Sequence, residues 1–265
     1  REVLEGKPSL HLREKPVPEP GFSPFGDVDR PGLSLMFVPI RERGEPVAIL
    51  SIQSYQPHAY TEEDLHTLQA LADHCGGALE RIRAEEALRE TQAAEQLFQE
   101  RLLALHDVRN ELTGIDDLGA YWRRAIELGR ERLGFDRLGL WLLGEDSNTC
   151  VGTFGVGETG VIRDERHRCV RCDAGTLMGD LAASGRHLGV RRAAPLYNDQ
   201  GQPIAVGDHA IAALFDGTRV TGFLSADNLL SQQPLTDRQC ELLALYGSAL
   251  ANLYLRKLAL AELRE

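Results

Sequence analysis

Arg219-Val220-Thr221-Gly222-Phe223-Leu224-Ser225, followed after a loop by Leu235-Thr236-Asp237-Arg238-Gln239-Cys240, repeats an arrangement found much earlier in the chain. There Pro46-Val47-Ala48-Ile49-Leu50-Ser51 precedes Tyr60-Thr61-Glu62-Glu63-Asp64-Leu65. In each copy a run of β-branched and apolar residues leads through a loop into a threonine-capped helix start. Upstream, Leu4-Glu5-Gly6-Lys7 answers Ala183-Ser184-Gly185-Arg186. A unit present twice in 265 residues predicts two modules of ordinary domain size. Look-alike modules in tandem are more often sensors than enzymes.

Bulk properties narrow the class. A 43% apolar content suffices for packed cores. A net charge of −11 argues against a nucleic-acid-binding surface, which needs a basic patch. No apolar run is long enough to span a bilayer, since Gly247, Ser248 and Asn252 interrupt the stretch from Leu242 to Leu255. No signal peptide is recognisable. Five cysteines, an odd and sparse count, predict free thiols in a reducing compartment, hence a cytoplasmic protein.

Working outward from the first copy, residues 1–32 are rich in Pro and Gly and predict a surface loop with one short strand at Ser9 to Arg13. Leu33 to Ile40 and Val47 to Tyr55 predict a hairpin turning at Gly44. From Thr61, Leu65, Leu68, Ala72, Cys75, Leu79 and Ile82 form one helical stripe. A second seam follows at Leu88, Thr91, Glu95, Phe98, Leu102, Leu105, Arg109 and Leu112, whose three polar members make it a weak coiled-coil register. No Pro interrupts Thr61 to Ile115, so a continuous helix of about 50 residues, roughly 75 Å long, is predicted. Its stripes are expected to meet those of a second copy in a parallel homodimer, with the terminal helices contributing.

In the second copy, Asp116 or Asp117 caps a helix through Trp122, Ile126 and Leu133. Strands follow at Arg137 to Leu143 and Cys150 to Val156, then a polar loop over 157–174 and a short helix over Leu177 to Ala183. A hairpin spans His209 to Phe215 and Arg219 to Asp227, and Thr236 caps the closing helix. Hairpins imply an antiparallel sheet with helices packed on one face, an α+β architecture.

This pattern resembles the GAF domain family of sensory modules. The resemblance is carried by Ala125-Ile126-Glu127-Leu128-Gly129-Arg130-Glu131-Arg132-Leu133-Gly134-Phe135-Asp136-Arg137-Leu138-Gly139-Leu140-Trp141, by Val151-Gly152-Thr153-Phe154-Gly155 and Arg163-Asp164-Glu165-Arg166, and by Gly222-Phe223-Leu224-Ser225. In the first copy it rests on Phe37-Val38-Pro39-Ile40 and Ala48-Ile49-Leu50-Ser51. It implies a six-stranded antiparallel sheet, helices behind it and a ligand pocket on the other face. It also implies an output domain of the kind such modules control: a histidine kinase, a cyclic-di-nucleotide enzyme or a transcription regulator. The organisation expected is the C-terminal part of a first GAF-like domain over 1–80, a helical, coiled-coil-like linker over 81–115 and a complete second domain over 116–265. The first domain lacks its opening helix and first two strands by comparison with the second, which would leave a sheet edge unpaired.

Candidate pocket residues in the second copy are the aromatic walls Trp141 and Phe154 and the polar groups Arg163, Asp164, His209, Asp227 and Asn228, a neutral or cationic ligand being expected. Asn228 recovers one position of the cyclic-nucleotide-binding members, but Leu229 and Leu235 stand where those have Lys and Phe. The ligand and any cofactor are unspecified by these residues. Cys169-Val170-Arg171-Cys172, with His167 nearby, offers a lesser possibility of metal ligation or thiol redox chemistry, whether as an enzyme or as a redox or metal sensor. The bland alternatives are ordinary loop thiols and a purely structural dimerisation module. No catalytic residues are assigned.

Overall fold

The computed structural model describes residues 6–15, 32–144, 148–215 and 217–263. Most of the proline-rich stretch, the Leu4-Glu5 part of the short match and Asp216 of the expected hairpin turn lie outside them. The chain divides into two compact units, Arg1–Ala93 and Ala94–Glu265. Helix α1 (Glu62–Thr113) contributes to both. The expected uninterrupted helix is therefore present, 52 residues long.

In the first unit, β1 (Ser9–Leu12), β2 (Ser34–Glu42) and β3 (Glu45–Ser54) form an antiparallel sheet in the order β1-β2-β3. The predicted hairpin turns at Arg43 and Gly44, both with positive φ. Gly44, at φ +89°, occupies a region open to glycine at little steric cost. Thr61 and Asp64 cap α1 reciprocally, each side chain accepting the other's backbone N–H. The stripe Leu65, Leu68 and Ala72 then packs against Met36 and Val38 of β2. Among the described residues β3 pairs on one side only, and Val47, Ile49 and Ile52 are exposed.

In the second unit, α2 (Leu118–Glu131) leads into β4 (Arg137–Leu143) and β5 (Thr149–Val156). Asp117 caps α2 through Ala120 N. The segment expected as a polar loop holds two short strands, β6 (Ile162–Asp164) and β7 (Cys169–Arg171), both paired to β5. Then come α3 (Leu177–Ser184), β8 (Leu188–Tyr197), β9 (Pro203–Phe215), β10 (Val220–Asp227) and α4 (Asp237–Glu262), the last with the predicted Thr236 cap. The sheet order is β6-β5-β4-β10-β9-β8, antiparallel throughout.

Helices α2 and α4 cover one face. Ile126, Leu128, Tyr246 and Leu250 pack there on Leu138, Leu140, Ala210, Ala212 and Leu224. The two helices exchange buried hydrogen bonds: Tyr121 donates to Leu250 O at 2.9 Å and Tyr246 donates to Ala125 O at 2.6 Å. On the other face α3 lays Leu177 and Leu181 over Trp141, Ile211, Ala213 and Phe223.

The linker seam departs from expectation. Phe98, Val108 and Leu112 are buried in the second unit's own core, and Leu102 and Leu105 pack against it. Arg238 lies over the Phe98 ring at 4.8 Å and pairs with Glu95. These side chains satisfy their hydrophobic surface within one chain, so the seam built on Phe98, Leu102 and Leu105 is not free to join a partner. A weak apolar stripe reads the same whether it faces a second copy or its own domain.

Candidate functional site

The sheet face under α3 carries three cross-strand rows set by the antiparallel register. Trp141, Phe223 and Ala213 form an apolar row. Gly139, Ser225, Ile211 and Gly189 form a middle row. Arg137, Asp227, His209 and Arg191 form a polar row across four strands. Period-2 alternation places each set on one side, because β-strand side chains point to opposite faces in turn.

The apolar row is closed by Leu177 and Leu181, and Gly189 admits Leu177, whose methyl would lie 2.7 Å from any Cβ there. The middle row has small residues at Gly139, Ser225 and Gly189, and its neighbours pack closely over them. A Cβ on Gly139 would come 3.0 Å from Ser225 Oγ and 3.3 Å from Trp141 Nε1. The polar row is partly buried. Arg137 Nη1 stands 3.6 Å from Asp227 Oδ2, while Arg137 donates Nε to Val156 O and Nη2 to Tyr197 O, both at 2.9 Å.

Burial pushes the Asp227 carboxyl above the usual carboxylate range, against the pull of Arg137. Burial, then Arg191 and Arg137, holds His209 down at about 4 from an ordinary 6.5. Between those values the unfolded chain binds a proton that the folded chain refuses. Stability should therefore fall as pH drops through that window, by up to about 3 kcal/mol. Asp227 acts in the opposite sense, taking up its proton more readily in the folded state. Denaturant titrations from pH 7 to 4.5 should show a shallower loss for His209→Gln than for the wild type. Parallel curves would show that His209 is not held neutral.

At the β5–β6 end of the same face, Arg163 sits opposite Gly155 and pairs with Asp199 and Glu165. Glu165 is buried, accepts from Arg168 Nη1 at 2.8 Å and lies against Gly155. Arg168 in turn lies 5.6 Å from the Trp141 ring centre.

Of the residues expected at a pocket, Trp141, Arg163, His209 and Asp227 thus share this face. Three do not. Phe154 belongs to the helix side, because a bulge between β4 and β5 inserts an extra β5 residue and reverses the alternation beyond it. It borders an apolar depression of about 350 Å³ with Leu118, Trp122, Leu142 and Tyr254, whose rim cation Arg166 is held by Asp164. Asp164 is turned out to solvent in that pair, which draws its carboxyl down to about 2. Asn228 is a fastener: its Oδ1 accepts from Asp208 N at 2.8 Å and its Nδ2 donates to Gln233 O at 2.9 Å. Sequence reading overlooked Arg137 and Ser225, although alternation with Trp141 and Asp227 marks them, and Arg191, which only the pairing of β8 with β9 brings beside His209.

The cysteine expectation is overturned. Cys150 and Cys172 form a disulfide inside the α3-side cluster, leaving Cys75, Cys169 and Cys240 free. Cys172 therefore cannot join Cys169 and His167 in ligating a metal or act with Cys169 as a dithiol, and the free-thiol argument for a reducing compartment loses its ground. Among the described residues no helix is long and apolar enough to cross a membrane.

Family profiles described as GAF domain match residues 3–80 and 117–253. No curated protein matches. Among solved structures, the GAF domain of a phosphoenolpyruvate-protein phosphotransferase from Coxiella burnetii is 11% identical with a TM-score of 0.50, covering 62% of this chain and 98% of that one. The corresponding Acinetobacter domain is 13% identical with a TM-score of 0.47, covering 61% and 97%. A methyl-accepting chemotaxis protein, residues 122 to 287, is likewise 13% identical at 0.47, covering 58% and 98%. At such identities the likeness concerns the fold alone.

Proposed function

The chain belongs to the GAF domain family, and from that membership we propose that it is a sensory or regulatory tandem module whose second unit binds a small molecule. The ligand would lie on the face carrying Trp141, Ser225, His209 and Asp227. The observation behind this reading is the polar row on an otherwise apolar, roofed sheet face, the mixture typical of ligand sites. Binding would lift or reseat α3 and bias the helices that lead to an output domain, such as a kinase, a cyclic-di-nucleotide enzyme or a transcription regulator, in the cytoplasm. The proposed organisation keeps 1–80 and 116–265 as the two GAF-like parts, joined by a helix over 81–115 whose residues from Ala94 on pack into the second. The module itself is proposed to be non-catalytic and homodimeric.

A second reading, a structural dimerisation module without ligand, is favoured by Leu177 and Leu181 filling the apolar half of the face. A thermal-shift screen of metabolites separates the two. A ligand at a hundredfold excess over Kd stabilises by about 2.7 kcal/mol. For a domain of this size that raises Tm by about 5–10 °C. The rise should vanish in Asp227→Ala. If no compound shifts the wild type and α3 amides exchange as slowly as the core, the structural reading holds.

A further inference from the structure

Three buried side-chain polar atoms among the described residues have no hydrogen-bond partner: Gln69 Oε1, Arg137 Nη1 and Arg163 Nε. The first lies in the first unit. The other two are guanidinium nitrogens set around one corner of the second unit's sheet. Arg137 grips Val156 O and Tyr197 O, while Arg163 lies over Gly157 and pairs with Asp199. A Cβ on Gly157 would come 2.7 Å from Arg163 Nε, so only glycine lets the guanidinium settle against the strand there. Asp199 also accepts Glu158 N, which ties the two stretches of chain together.

A guanidinium presents five N–H donors in a rigid plane suited to carboxylate oxygens. Both guanidiniums are otherwise engaged, but one buried N–H of each lacks an acceptor, and such a group calls for a partner. The carboxylates already present are otherwise engaged. Asp199 and Glu165 hold the outer edge of Arg163, and Glu165 also serves Arg168. Asp227 stands 3.6 Å from Arg137 Nη1 without forming a hydrogen bond, and its Oδ1 accepts Leu229 N.

Resting on the reading of this face as the ligand site, we propose that the ligand is a small carboxylate whose carboxyl oxygens accept from Arg137 Nη1 and Arg163 Nε. This replaces the neutral or cationic ligand expected from sequence. That expectation counted Asp164 and Asp227 as acidic pocket groups. Asp164 is outside the face and bound to Arg166, while Asp227 stays on it beside Arg137, where burial favours its neutral form, able to donate to a carboxylate. The remainder of such a molecule would extend over Gly139 and Ser225 towards Trp141.

The test uses the whole chain, 15N-labelled, with arginine Nε–H signals followed during titration with sodium acetate or sodium succinate. Sodium chloride at matched ionic strength is the reference. The Arg163 Nε–H signal should shift saturably with the carboxylates and not with chloride. Arg137→Gln and Arg163→Lys, the latter keeping the charge but not the Nε donor, should each weaken binding about tenfold or more. Exposed Arg166→Gln should not. If a variant fails to fold, the wild-type titration decides alone. An equal response to chloride, no saturable shift, or unchanged affinity in both variants overturns the proposal. If neutral succinamide stabilises the protein in an Asp227-dependent way while the carboxylates do not bind, the carboxylate class falls and the ligand site stands. If α3 exchanges like the core and nothing binds, both fall.

Discussion

Leu112→Ala is expected to destabilise the second unit by about 2–5 kcal/mol, whereas Leu103→Ala on the same helix should change stability by less than about 0.5 kcal/mol. Leu112 is fully buried beside Val108 and the α2 and α4 side chains, and Leu103 is 72% exposed. Truncating a buried leucine loses its transfer free energy and leaves a cavity that neighbours only partly fill. Truncating an exposed one does neither. For a unit of this size the larger loss lowers Tm by about 5–20 °C. Denaturant titration and light scattering together make the test specific. A stability loss at unchanged mass confirms that residues 94–113 belong to the domain. If both substitutions are equally mild, or if Leu112→Ala changes only the mass, the helix acts as an intermolecular seam instead.

Breaking the Cys150–Cys172 disulfide, by reduction or by Cys150→Ser with Cys172→Ser, is expected to cost about 3 kcal/mol. This is the chain-entropy value for closing a loop of 22-residue separation. The expected fall in Tm is about 6–12 °C. Cys169→Ser should be nearly silent, since Cys169 is an exposed free thiol. The bond joins β5 to the stretch entering α3, where Cys172 N also donates to Asn148 O at 2.8 Å. Its loss should therefore loosen the roof before the α2–α4 side, which amide exchange can resolve. Thiol titration of the unfolded, unreduced protein should find the three free cysteines, and reduction should raise that to five. Five thiols before reduction would remove the disulfide from the account.

Three of the expected site residues reach the same face for reasons that strand alternation makes visible, Trp141 on β4, His209 on β9 and Asp227 on β10, while Arg163 joins them on β6, inside a segment read as loop. Phe154 was misread because alternation is trustworthy only until a bulge, and the Gly152–Gly155 region carries one opposite Gly139 and Trp141. Asn228 was misread because a polar residue at a strand end has the same appearance whether it faces a ligand or holds a loop. Its partners, Asp208 N and Gln233 O, belong to different segments.

What the sequence determined by itself was local in origin. Hairpins at Gly44 and between β9 and β10, helix starts at Thr61, Asp117 and Thr236, and the apolar stripes of α1 and α2 all follow from residues a few positions apart. The repetition of those local signals was enough to identify two modules of one family. What only the tertiary structure decided depends on segments far apart in the chain. Cys172 bonds Cys150 rather than its neighbour Cys169, because β7 runs antiparallel to β5 and brings Val170 opposite Cys150. Leu112 faces its own core rather than a second copy, because the surface that covers it is built by helices that follow it in the chain. Arg137 and Arg163 reach adjacent residues of one segment, Arg137 donating to Val156 O and Arg163 lying against Gly157, although 26 positions separate them in the chain. Periodicity says which side of an element is apolar or charged, but the partner of that side is set by packing, which a linear pattern does not encode.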